Sequence, residues 1–157
     1  MKTKTNAMRM LDAAKISYRV MEYEVDESNL AGTHIADEIG LSYDMVYKTL
    51  VARGDKSGPV VFCIPAHLEI DLKKAARVTG NKRIEMIHVK DLLSLTGYIR
   101  GGCSPIGMKK RFPTYISHFS ANEPEITVSA GVRGAQLLLK TADLITYTGA
   151  KCEDITV

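Results

Sequence analysis

Glycines at positions 40, 80, 97 and 149 each close a short run with helical apolar spacing, and strand-like runs lie between those helices. Glycine ends a helix by taking the left-handed conformation without a Cβ penalty. Such a chain cannot be a bundle of long helices; it has to interleave short helices with strands. The spacing predicts helices over 6–15, 33–39 (capped by Thr33), 72–79 (capped by Asp71), 89–96 and 142–147, with a further turn capped by Ser42. Strands are predicted over 16–23, 47–52, 60–65, 83–87, 113–117, 125–129 and 136–140, with a last one running through Ile155. Arg53-Gly54-Asp55-Lys56-Ser57-Gly58 reads as a polar hairpin turn, the Arg-Gly-Asp triplet included. The strands are spaced too irregularly for a doubly wound parallel sheet. The expected fold is therefore mixed α/β (α+β), with a central, partly barrel-like sheet and helices around it.

The 157 residues suit one domain, 1–157, able to bury a single core without metals or cross-links. Asp91–Gly97 and Asp143–Gly149 echo each other, but one short match lacks the sustained period of a repeat architecture. A net charge of +3 is well short of the basic balance expected of a protein that coats a nucleic-acid duplex, so DNA is not an expected partner. Cys63, Cys103 and Cys152 are an odd number with no pair at metal-ligand spacing, which points to free thiols in a reducing compartment. No run approaches the roughly 18 apolar residues of a membrane span, and the start Met1-Lys2-Thr3-Lys4 is polar, so the cytoplasm is expected and a membrane partner is not.

Nucleophile elbows, phosphate-binding loops and metal-spaced histidine pairs are missing; His34, His67, His88 and His118 are scattered. No metal and no cofactor are expected. Attention falls instead on Gly101-Gly102-Cys103-Ser104-Pro105-Ile106-Gly107, a loop able to bring bare main-chain N–H groups to a ligand, with Lys109-Lys110-Arg111 directly behind it. Ser129-Ala130-Gly131-Val132-Arg133-Gly134 is a second glycine turn, either a plain hairpin or the opposite wall of one cleft. Lys48, at the entry to an apolar strand, must either snorkel to water or project into a cleft. Tyr23 is either a packed aromatic or a hydroxyl donor.

Tyr47-Lys48-Thr49-Leu50-Val51, Gly97-Tyr98 leading into Gly101 through Arg111, and Val128 through Gly134 occur in an order and spacing that resemble the YbaK/EbsC family. These are Cys-tRNA(Pro) deacylases, kin of the editing domain inserted in bacterial prolyl-tRNA synthetases, and the likeness runs from about Asn6 to Ile155. It implies hydrolysis of the ester joining a mischarged amino acid to the 3′ aminoacyl-adenosine end of tRNA, with prolyl-tRNA synthetase as a possible source of that tRNA. By the same resemblance, Lys48 matches the essential lysine, Gly101 and Pro105 match a Gly-x-x-x-P loop, and Tyr23 and Ser129 match polar pocket positions. Thr49 and Cys103 accompany them as substrate-binding residues, and Gly131 and Arg133 belong to the second turn. Cys103 stands where relatives usually carry Ile or Val, and Ala130 where Gly is common.

An aminoacyl ester is already activated, so an enzyme has only to position it and stabilise the oxyanion. The expected oxyanion donors are main-chain N–H groups from Gly101 through Gly102 and Cys103 to Ser104, with Lys48 on the terminal adenosine. The attacking group is expected to be water, the 2′-hydroxyl or the substrate's own thiol. Lys109, Lys110 and Arg111 are the expected tRNA-backbone contacts, with Lys73, Lys74, Arg77 and Arg133 as further candidates. Competing readings are deacylation of Ala-tRNA(Pro) or another small product, a non-catalytic binding module, and a thiol sensor using Cys103.

Overall fold

The computed structural model describes residues 3–157; Met1 and Lys2, part of the polar start, lie outside the described residues. Helix α1 (Asn6–Ala13) is capped by Thr5 and buries Ala7, Met8 and Leu11. It stops short of the predicted Lys15 because that residue takes a left-handed φ of 59°. Strand β1 (Tyr18–Glu22) follows, then α2 (Gly32–Ile39). Thr33 is not the cap of α2: the N-cap is Ala31, which supplies no side-chain hydrogen bond.

Strands β2 (Tyr47–Gly54) and β3 (Gly58–Pro65) form the predicted hairpin. Its polar turn is latched internally, since Asp55 accepts from Lys82 N at 2.9 Å and Arg83 N at 3.1 Å, and Asn81 Oδ1 accepts from Lys56 N and Ser57 N. Asp71 caps α3 (Leu72–Thr79) as expected, accepting from Lys73 N and Lys74 N. Next come β4 (Ile84–Met86), α4 (Val89–Thr96), β5 (Thr114–Ser117), β6 (Glu125–Ser129), β7 (Ala135–Lys140), α5 (Thr141–Thr148) and β8 (Lys151–Glu153). The two echoing segments are α4 and α5, each closed by a left-handed glycine. The last strand ends at Glu153 rather than Ile155, which is buried in the core instead.

The mixed α/β class is borne out. The β-structure divides into an antiparallel three-stranded sheet, β1-β7-β6, and a mixed five-stranded sheet, β4-β2-β3-β5-β8. A parallel bridge between Val46 and Thr127 links the two, and they do not close into a barrel. The main core lies between the sheets, where α1 packs Met8 and Leu11 among side chains of both, including Val61, Ile116, Leu137 and Leu139. The other face of the five-stranded sheet is covered by α3, with Ala75 against Phe62, Ile64 and Tyr115. Being covered on both faces, β3 reads as an unbroken apolar run, Val60-Val61-Phe62-Cys63-Ile64, rather than an alternating one.

Candidate active site

β4 pairs with β2 only at Ala52, Arg53 and Gly54, which leaves Tyr47 to Val51 without a β4 neighbour. A cleft of about 740 Å³ opens along this stretch of β2. Its walls are the start of α2, the segment from Met86 to Leu92, the loop carrying Arg100, Gly101 and Cys103, and the ends of β6 and β7 at Ser129 and Gln136.

Adjacent residues of a strand point to opposite sheet faces, so Lys48 and Thr49 diverge. Thr49 Oγ1 lies 4.0 Å from Cys63 Sγ on the inner face, while the half-buried Lys48 places Nζ 3.9 Å from the exposed Glu69 carboxylate. Lys48, Thr49, Gly101, Cys103 and Ser129 all line this one cleft.

The two glycine turns do not face each other across the opening; they dock backbone to backbone beside it. A Cβ on Gly102 would stand 3.0 Å from Val132 C and 3.1 Å from Arg133 N. Arg133 fastens the pair, its Nε donating to Arg100 O at 2.9 Å. Gly101 adopts a φ of +86°, a conformation L side chains rarely take. Tyr98 holds the far side, its ring against Gly131 and its hydroxyl donating to Ile106 O.

The hydrogen bonds sort the expected oxyanion donors. The Gly102 N–H is engaged by Ile99 O at 2.9 Å. The N–H groups of Gly101, Cys103 and Ser104 have no acceptor among the described residues, and of these three residues Gly101 and Cys103 line the cleft. The Ser104 hydroxyl is buried and accepts from Ile106 N at 3.2 Å, as in a tight turn. Ser129 Oγ similarly accepts from Gly131 N at 3.1 Å, which leaves its own O–H free to donate.

Other predicted residues lie elsewhere. Tyr23 donates its N–H to Gly134 O and packs on the cluster of Ile35, Ala36, Val46 and Ala66 behind α2. Pro105, Lys110 and Arg111 border a separate hollow of about 70 Å³. Arg111 donates to Tyr147 O at 2.7 Å and so satisfies a carbonyl in the last turn of α5, and the Lys109 stem runs along Gly97. The cations lining the cleft are Lys48 and Arg100. Two wall elements carried no sequence signal of a site: the uncapped start of α2 at Gly32 and Thr33, and Gln136. The one available hint was a polar residue leading the apolar run Leu137-Leu138-Leu139.

Two of the cleft's side chains, the Cys103 thiol and the Tyr47 phenol, are held protonated by burial. Burial pushes the Cys103 thiol up to about 12 and likewise raises the Tyr47 phenol above its ordinary value. At neutral pH Cys103 carries almost no thiolate, the form that attacks carbonyls. Cys103→Ser is accordingly expected to keep a deacylation rate within about tenfold of wild type, as a packing change rather than a lost nucleophile. A folded Cys103→Ser protein with no measurable rate would contradict this. Among the described residues no three His, Cys, Asp or Glu gather as a metal-binding group, and no helix is long and apolar enough to cross a membrane.

Residues 33–147 match the family model of the aminoacyl-tRNA editing domain. The chain belongs to that family. A protein of Enterococcus faecalis V583, provisionally named Cys-tRNA(Pro)/Cys-tRNA(Cys) deacylase EbsC, is 47% identical over 153 residues, covering 98% of this chain and 93% of that protein. The protein YwhH of Bacillus subtilis 168 is 23% identical over 128 residues, 82% of this chain and 81% of its own. Two crystal structures share the fold. One, of a hypothetical protein, has a TM-score of 0.88 at 18% identity, covering 98% of this chain and all 100% of its own. The other, provisionally named a trans-editing enzyme for prolyl-tRNA synthetase, has a TM-score of 0.84 at 24% identity and covers 99% of each chain. The family match covers the cleft lining from Thr33 to Gln136, and Ser28 to Gly32 precede it.

Proposed function

We propose that this editing-domain protein hydrolyses mischarged tRNA in trans, with Cys-tRNA(Pro) as its principal substrate. The observation that carries this reading is the single cleft in which Lys48 and Thr49 meet Gly101 and Cys103. The 47% identity to the E. faecalis protein named for Cys-tRNA(Pro) and Cys-tRNA(Cys) supports the substrate.

The ester enters with its carbonyl oxygen toward the free N–H groups of Gly101 and Cys103, which are fixed before the reaction begins and stabilise the charge of the tetrahedral intermediate. Lys48 holds the terminal adenosine through phosphate or ribose oxygen. With Cys103 and Tyr47 kept protonated, the substrate thiol is the attacking group. Its sulfur bonds to the carbonyl carbon, the carbon–oxygen bond to the ribose breaks, and the thiol proton passes to the departing ribose oxygen. Free tRNA and a cyclic thioester leave, and water later opens the thioester to cysteine. The sulfur attack explains why the cleft needs no base of its own.

The test is a deacylation panel with Cys-, Ala-, Ser- and Pro-tRNA(Pro) and Cys-tRNA(Cys). Cys-tRNA(Pro) is expected to lose its amino acid fastest, with Ser-tRNA(Pro) slower by about 10² because a hydroxyl is a much poorer nucleophile than a thiol. Equal rates on the cysteinyl and seryl esters would end the thiol route, and hydrolysis of no ester by folded protein would end the deacylase reading.

A further inference from the structure

Side-chain alternation gives the three-stranded sheet two unlike faces. Ala135, Leu137 and Leu139 of β7, with Ile126 and Val128 of β6, point into the core between the sheets. The intervening residues Thr127, Ser129 and Gln136 point the other way, and all three are buried. Buried polar groups on an apolar sheet persist when each has a partner. Gln136 meets that condition at Oε1, and it also lines the cleft.

Gln136 is 3% exposed, sits in the central strand between Met21 and Ser129, and lines the cleft. Its Oε1 accepts from the Thr127 hydroxyl at 3.1 Å. Its Nε2 has no acceptor among the described residues. Directly across the strand pair stands Ser129, whose oxygen is engaged by Gly131 N–H and whose own proton is free. This end of the cleft is thus an uncharged pair of donors, held rigidly on sheet rather than loop.

We infer that Gln136 is a substrate-binding residue that donates its side-chain amide to the ribose hydroxyl beside the ester, with Ser129 as its neighbour. It rests on the deacylase reading. Donors repel the substrate's α-ammonium, and the ester carbonyl is taken by Gly101 and Cys103. Of the acceptors left at the reacting end of an aminoacyl-adenosine, the vicinal hydroxyl is the strongest and lies on the carbon next to the ester. A site built to hydrogen-bond a hydroxyl discriminates strongly against its absence, because its donors would otherwise be buried unpaired.

The experiment measures binding of tRNA(Pro) carrying cysteine through a stable 3′ amide, with a terminal 2′-hydroxyl or a 2′-hydrogen. Wild type, Gln136→Leu and Gln136→Glu are compared, and deacylation of Cys-tRNA(Pro) is assayed on the same preparations. Gln136→Glu keeps an oxygen for the Thr127 hydroxyl but exchanges the amide donor for a charged acceptor, so it checks that a polar variant folds while Gln136→Leu carries the donor test. Wild type is expected to lose about tenfold in affinity when the hydroxyl is removed. Gln136→Leu is expected to lose about as much on the hydroxyl ligand and nothing further on the hydrogen ligand. Independent, multiplicative losses, or a wild type indifferent to the hydroxyl, would overturn the assignment while deacylation stood. Wild-type protein that neither binds the amide nor deacylates would overturn the function itself.

Discussion

Lys48→Ala is expected to slow deacylation of Cys-tRNA(Pro) by about 10²-fold, since a charge-assisted hydrogen bond to substrate is worth roughly 1.5–3 kcal/mol. Stability should barely change. The protein contact recorded for the Lys48 ammonium is Glu69 at 3.9 Å, and Glu69 is largely exposed, so the pair contributes at most about 1 kcal/mol. Glu69→Ala breaks the same ion pair and separates the two roles: it should cost less than about threefold in rate if Lys48 acts on substrate. An equal loss in both variants, or an unchanged rate in Lys48→Ala, would remove the lysine from the mechanism. Lys48→Arg should recover only part of the rate, because a planar guanidinium on a differently shaped stem does not reproduce a point charge at the cleft mouth.

The elements easiest to read in the sequence were those specified by neighbours along the chain. Asp71 caps α3 with its own side chain, and Gly40, Gly80, Gly97 and Gly149 all take the left-handed conformation that ends a helix. Features that depend on distant contacts were not readable. The start of α2 is set by packing, since a Cβ on Gly32 would fall on Ala66 just after β3, and the helix begins at Gly32, capped by Ala31 without the hydroxyl that Thr33 suggested. Gln136 resembles any strand residue until the sheet register sets it beside Ser129 and Thr127. Lys48 and the first glycine loop were marked as candidates by composition and family likeness. That Pro105, Lys110 and Arg111 border a different hollow follows from how the loop docks on Val132 and on the end of α5, which no local pattern encodes.

Gly32→Ala is expected to do more damage than any other single-methyl change to this cleft. The added carbon would lie 2.1 Å from Ala66 Cβ and 3.3 Å from Ala66 Cα. Real carbons do not approach so closely, and Ala66 has no flexible end to swing aside, so the first turn of α2 must move away from β3. Overpacking of this kind typically costs about 1–3 kcal/mol. Gly32 also lines the cleft beside Ala31 and Thr33, facing the β2 edge that carries Lys48. A displacement of about 1 Å in a wall that positions substrate is enough to lower turnover by about 10²-fold. The control is Gly40→Ala at the other end of the same helix, where an added carbon meets nothing within 4 Å but must accept a φ of +71°. That variant should lose about 1 kcal/mol through backbone strain and keep its deacylation rate. Thermal melts and single-turnover rates on the two variants distinguish the effects. If both lose stability alike and both stay active, contact between α2 and β3 does not shape the cleft, and the wall formed by Gly32 is only a boundary.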